Sequence, residues 1–247
     1  MKTFPASASL NFAPSSAAQQ EWVSFANTDP PSPAHTHAAW EILRPAEKER
    51  ARRFHFPRDR DRWIIGRAWA RKQLAARLEC APQTLALTPA PGGRLFLPDH
   101  PNLDFNLSHT GNWIALGMCG AGRIGIDLEK VDPAFPALEI AAEFFLPAER
   151  DWVAAGPVER FFQLWTAKEA LMKATGRGLS LAPDRIMVSV RNNLPAMVTN
   201  LEDGACWPVQ SWQGPGETIA AMVWLPPPPP HPAGPGTGEN QPAARGI

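Results

Sequence analysis

The spacing of apolar and polar positions changes character several times along the chain. Over residues 58–78, Ile64, Ile65, Ala68, Trp69 and Ala76 share one face at helical spacing. A shorter helix is predicted before it, over 45–54, with Pro45 suited to its first turn. The pattern then turns to strands. Residues 105–108 and 113–118 flank the polar turn His109-Thr110-Gly111-Asn112, and 123–129 forms a further strand after Gly120 and Gly122. Residues 157–175 return to helical spacing, opened by Pro157 and closed by Gly176. Segments near 185–190 and 219–225 read as strands. Helices followed by strands, twice, predict an α+β chain of two similar halves with a junction near residues 118–123. The expected layout is a loosely held N-terminus (1–20), an N-terminal α+β subdomain (21–120), a C-terminal α+β subdomain (121–225) and a tail (226–247). Eight of the 28 prolines fall within that tail, which is expected to be disordered with polyproline II character.

Composition narrows the class. The chain has 247 residues, 44% hydrophobic and 19% charged, which is ordinary for a soluble globular protein. Lys plus Arg equal Asp plus Glu at 24 each, which argues against a dedicated nucleic-acid binder. Cys80, Cys119 and Cys206 are scattered and form no CxxC pair, so neither a thiolate zinc site nor a disulfide framework is expected. No signal-peptide core and no apolar run of membrane-spanning length is present, so the expectation is a cytoplasmic chain without membrane attachment.

Four places carry candidate chemistry. In the strand Ile124-Gly125-Ile126-Asp127-Leu128-Glu129, the period of two puts Asp127 and Glu129 on one face, about 6.5 Å apart at Cα. Two such carboxylates repel unless a cation sits between them. Mg²⁺ suits an oxygen-only pair that also meets phosphate, and a solvated edge strand is the plainer alternative. On the helix, Glu169 and Lys173 lie four residues apart beside Phe162 and Trp165; this is either an ordinary surface ion pair or a semi-buried metal ligand and base. Ser108 and His109 sit at a strand end. Adjacent strand residues point to opposite faces, so they do not make a nucleophile and its base, but they suit phosphate contacts or a polar hairpin corner. Finally, residues 44–77 hold twelve of the 24 basic residues and four acids, an asymmetry that fits a phosphate-rich ligand, an acidic partner or nucleic acid. Together these features point to a phosphorylated substrate and metal-assisted displacement at phosphorus.

The strings themselves go further. Phe105-Asn106-Leu107-Ser108-His109, then Gly125-Ile126-Asp127-Leu128-Glu129-Lys130, then Trp165-Thr166-Ala167-Lys168-Glu169-Ala170-Leu171-Met172-Lys173 with Gly176, Gly178 and Leu179 resemble, in order, the signature blocks of the Sfp-type 4′-phosphopantetheinyl transferases. The likeness covers roughly residues 40–225. It implies a pseudo-dimeric fold with the active site between two α+β subdomains. It also implies Mg²⁺-dependent transfer of the 4′-phosphopantetheine arm of coenzyme A to a serine of an apo acyl or peptidyl carrier protein, by a monomer that releases adenosine 3′,5′-bisphosphate. Carried over by residue, Asp127, Glu129 and Glu169 would hold Mg²⁺, with Glu169 also helping to deprotonate the serine. Lys173 would contact the pyrophosphate. Ser108, His109, Arg50 and Lys48 would meet the nucleotide phosphates. Gly93-Arg94-Leu95 stands where the family often has Gly-Lys-Pro, so Arg94 keeps the charge at the coenzyme loop but not the proline. Two rival readings are a nucleic-acid binder using residues 58–77 and a metal-dependent phosphohydrolase.

Overall fold

The computed structural model describes residues 7–11, 21–29 and 32–227. The expected disordered tail lies, apart from its first two residues, outside the described residues. Within the stretch expected to be loosely held, β1 (Ser7–Asn11) instead forms a strand paired antiparallel with β2 (Glu21–Asn27). Three helices follow: α1 (Pro33–Trp40), α2 (Pro45–Arg52) and the 22-residue α3 (Pro57–Leu78). A two-residue pair, β3 (Thr88–Pro89) and β4 (Leu95–Phe96), leads into the hairpin β5 (Asp104–Thr110) and β6 (Trp113–Cys119). The second half opens with β7 (Arg123–Lys130), continues through α4 (Ala137–Phe144), α5 (Pro147–Ala154) and α6 (Glu159–Thr175), and ends in β8 (Ile186–Arg191), β9 (Leu194–Asn200), β10 (Cys206–Gln213) and β11 (Thr218–Leu225).

The repeated unit is therefore strand, helices, strands, rather than helices then strands. β2 and β7 play the same part: each precedes the helices of its half and pairs antiparallel with the last strand, β6 or β11. The sheets run β1-β2-β6-β5 and β7-β11-β10-β9-β8. Alternation in Glu21-Trp22-Val23-Ser24-Phe25 puts Val23 and Phe25 on one buried face, the signal that marks β2 in the sequence.

Each half buries a long helix against its sheet. Leu74 and Ala75 of α3 pack with Phe105, Leu116 and Met118, while Leu164, Ala167 and Leu171 of α6 pack with Ile219, Ala221 and Val223. A third cluster joins the halves: Val23, Phe25, Ala115 and Cys119 meet Ile124, Ile126, Leu128, Ala220 and Met222. The period of two in β7 is thus used on both faces. Its isoleucines and Leu128 seal the halves together, and its other face receives α6.

Gly125 sets how closely α6 lies on β7. A Cβ there would stand 1.9 Å from the Ala170 carbonyl oxygen and 2.5 Å from the Ala174 nitrogen, both backbone atoms that cannot rotate away. Gly125→Ala is therefore expected to push the helix off the strand, costing about 3 kcal/mol or more, at or above the upper end of the usual overpacking range. A melting curve unchanged from the parent would contradict this.

Candidate functional site

Three elements converge on the acidic cluster: β7 brings Asp127 and Glu129, α6 brings Glu169 and Lys173, and β5 brings Ser108 and Thr110. Asp127 is almost fully buried. Its Oδ1 accepts hydrogen bonds from the Ser108 hydroxyl at 2.8 Å and from Lys173 Nζ at 2.5 Å, and Lys173 also donates to Ser108 Oγ at 3.0 Å. Its other oxygen, Oδ2, is buried without a hydrogen-bond partner. Of the two readings of the Glu169–Lys173 spacing, the plain ion pair along the helix is not what forms: Lys173 reaches across to Asp127 on the strand.

Burial and the Asp127 charge push the Glu129 carboxyl up to about 7, although the Thr110 hydroxyl donates to it at 3.2 Å. Burial, then Asp127, raises Glu169 as well, with Lys173 opposing. Three carboxylates thus share one ammonium in a half-buried place, a shortage of positive charge.

A second region adjoins the first across β5. Alternate residues of that strand face opposite ways, as its period requires. Phe105, Asn106, Leu107 and His109 border a cavity of about 650 Å³, while Ser108 turns to the acidic cluster. Arg50, Phe54, Arg62, Trp63 and Arg67 form much of the remaining wall. Arg67 is nine-tenths buried beside Glu47 and lies over the Trp63 ring, yet its Nη1 has no hydrogen-bond partner. Burial lowers its guanidinium to about 10, with Glu47 opposing. Arg62 Nε is likewise buried and unpartnered. Basic groups, an indole and unspent donors make this a place for an aromatic base and phosphate.

Much of the basic segment is committed elsewhere. Arg71 is buried and bonds Glu47, Pro82 O and Leu85 O. Arg58 pairs with Asp29, Arg60 with Asp61, Arg52 with Glu49, and Arg77 lies over Trp22. Only Arg71 of these is withdrawn into the core; Arg58, Arg60 and Arg77 stay at the surface in ion pairs or over an indole. Arg62 and Arg67, which the sequence placed only within a charge run, become wall residues because α3 turns them toward β5. Their spacing of five, with Trp63 between them, is a weak signal at best.

The remaining predicted residues are placed as follows. Arg50 and His109 line the cavity. Lys48 does not; it lies over Trp40 and 4.0 Å from Glu41. Ser108 Oγ is saturated, because it also accepts from the Leu128 N–H at 3.2 Å. Arg94 borders the cavity, and its two Nη groups bond protein oxygens: Nη1 donates to Lys173 O (2.5 Å), and Nη2 to Asp104 Oδ2 (2.5 Å), Ile124 O (2.8 Å) and Phe105 O (3.0 Å). These bonds make Arg94 a clamp between the halves, at the edge of the cavity where the resemblance expects a coenzyme contact.

Among the described residues, no group of three or more His, Cys, Asp or Glu side chains is already gathered as a metal cage. The donor set nevertheless fits a hard divalent cation. All its donors are oxygens, Asp127 Oδ2 is unpartnered, and the raised glutamates mark a site short of positive charge. Among the described residues no helix is long and apolar enough to cross a membrane.

Residues 123–223 match the family model of the 4′-phosphopantetheinyl transferase superfamily, and residues 28–120 match that of the N-terminal region of 4′-phosphopantetheinyl transferases. A curated protein of Synechocystis sp. named a putative 4′-phosphopantetheinyl transferase is 38% identical over 145 residues, covering 56% of this chain and 59% of that one. The 4′-phosphopantetheinyl transferase Sfp of Bacillus subtilis is 31% identical over 156 residues, covering 62% and 68%. The 4′-phosphopantetheinyl transferase HetI of Nostoc sp. is 32% identical over 184 residues, covering 72% and 76%. The match thus spans less than two thirds of the Synechocystis protein's length and more than two thirds of the other two.

Proposed function

The chain belongs to the 4′-phosphopantetheinyl transferase superfamily, in its two-part Sfp-type form, and from that premise we propose that it moves the 4′-phosphopantetheine arm of coenzyme A onto a serine of an apo acyl or peptidyl carrier protein. The observation that carries this reading is the division of labour across β5. One face lines a cavity with aromatic and basic walls, and the other touches the acidic cluster. Coenzyme A has this polarity: an adenine and a 3′-phosphate at one end, then a pyrophosphate that needs charge neutralisation.

In this reading Trp63 and Phe54 stack near the base, and Arg50, Arg67 and His109 meet phosphate. Asp127, Glu129 and Glu169 would hold Mg²⁺, which would supply positive charge to the pyrophosphate. The carrier serine is the nucleophile. Its oxygen bonds to the phosphorus bearing pantetheine, the bridging P–O bond breaks, and adenosine 3′,5′-bisphosphate leaves. Glu169, beside Asp127 on the acidic cluster, takes the serine proton, directly or through a water. Lys173 steadies the charge that develops on the leaving group. The chain is read as a cytoplasmic monomer.

The test is intact-mass analysis of an apo acyl or peptidyl carrier protein incubated with this protein, coenzyme A and Mg²⁺. A gain of one phosphopantetheine that a chelator prevents is expected. Release of adenosine 3′,5′-bisphosphate with no carrier present would favour a phosphohydrolase instead.

The cavity makes its own prediction. Arg67→Gln removes a charged hydrogen bond to phosphate, a contribution of about 1.5–3 kcal/mol, so KM for coenzyme A should rise about tenfold or more. KM for 3′-dephospho-coenzyme A should change less. Equal losses for the two substrates would move Arg67 away from the 3′-phosphate.

A further inference from the structure

β5 and β7 are the outer strands of their sheets, and an outer strand presents a row of N–H groups without backbone partners. In this chain those of β7 are met by side chains. The N–H groups of Ile124, Ile126, Leu128 and Lys130 donate to Asp104 Oδ2 at 2.7 Å, Asn106 Oδ1 at 3.0 Å, Ser108 Oγ at 3.2 Å and Thr110 Oγ1 at 3.1 Å. Every rung joins residues 20 apart, so the two strands run parallel in a single register, with side-chain oxygens standing in for carbonyls. An apolar residue at any rung leaves a strand N–H without its acceptor.

The ladder also touches the site. Ser108 donates to Asp127, Thr110 donates to Glu129, and Asp104 is bound by Arg94, which reaches on to Lys173 O at the end of α6. Slippage by two residues would carry the β7 carboxylates about 6.6 Å along the strand, out of reach of Lys173 and the cavity.

We infer that Asp104, Asn106, Ser108 and Thr110, clamped by Arg94, are positioning residues: a register lock between the halves that sets where Asp127 and Glu129 stand relative to the nucleotide cavity. The kinetic consequence rests on the transferase reading; the ladder itself does not.

Thr110→Val keeps the side chain's shape and removes its hydroxyl, while Thr110→Ser keeps the hydroxyl. In the full chain, Thr110→Val is expected to lower kcat about tenfold or more, as small misplacements in catalytic sites do. It should also raise the Mg²⁺ concentration needed for half-maximal rate and leave KM for the carrier unchanged. The β7 amides should exchange faster, with those of α3 and β8 unaltered. Thr110→Ser should restore all of these. A Thr110→Val protein with the parent's kcat and Mg²⁺ requirement overturns the positioning role, and so does a loss that serine does not restore. If Thr110→Val does not fold, Asn106→Leu paired with Asn106→Asp carries the same comparison. In the unsubstituted protein, the amides of Ile126 and Leu128 should resist exchange like those of inner strands. Exchange as fast as an open sheet edge overturns the ladder. If the unsubstituted protein modifies no carrier, the transferase reading fails and amide exchange still decides the ladder.

Discussion

Asp127→Asn is expected to lower phosphopantetheine transfer by about a thousandfold or more, because phosphoryl-type transfer depends chiefly on positioned charge. The substitution keeps the side chain's shape and an oxygen for Ser108 to bond. It removes the anion that holds Lys173 and the buried, unpartnered oxygen best placed to take a cation. Folding should survive. β7 is paired with β11 along residues 123–130, and the lost attraction to Lys173 is offset by relief of repulsion on Glu129 and Glu169, whose carboxyls Asp127 raises. Glu169→Ala should behave alike. Carrier modification followed by mass, beside a melting curve, separates chemistry from stability. A folded Asp127→Asn protein with the parent's rate would remove Asp127 from the metal set.

Lys168→Ala is expected to do the reverse: its first effect is on the fold. Lys168 is buried, and its ammonium donates to Glu149 Oε2, Pro183 O and Ile186 O. Glu149 is buried too. It accepts from the Leu146 N–H at 2.9 Å, which starts α5, and from the Val188 N–H at 2.7 Å on β8. This pair ties α5, α6 and β8 together. Burial pulls the ammonium below its ordinary range, with Glu149 opposing. Removing one partner strands a buried carboxylate, at a cost of about 3–5 kcal/mol. In a chain of this size that lowers Tm by about 10 °C. Combining Lys168→Ala with Glu149→Gln should cost less than the two separate losses added, because the stranded charge goes with it. Lys173→Ala also strands a buried carboxylate, Asp127, so it should lower Tm too, but unlike Lys168→Ala it should lose transfer at temperatures where the protein remains folded. If Lys168→Ala melts with the parent and loses only activity, this assignment of the two lysines is wrong.

The sequence alone determined what depends on local periodicity. α3, α6, the β5–β6 hairpin and β7 are legible because their apolar positions repeat at one helical or strand period, and Gly176 ends α6 in the left-handed conformation its pattern implied. Asp127 and Glu129 on one strand face, and Ser108 and His109 on opposite faces, followed from a period of two. Of the short elements, α2, β8 and β11 were legible and others were not. α4 and α5 span eight residues each, and β2 has only Val23 and Phe25 to announce its buried face.

Tertiary structure decided which of several identical charges have work at the site. Nothing local distinguishes Arg67, at the cavity wall, from Arg71, buried against Glu47, or Lys173 at the acidic cluster from Lys168 in the core. Nor does the sequence show that Arg94 bonds four oxygens drawn from both halves. A side chain's type and period fix which way it points from its own element. Its partner is fixed by which element packs opposite, and for β5 and β7 that packing joins residues 20 positions apart through bonds no local pattern encodes.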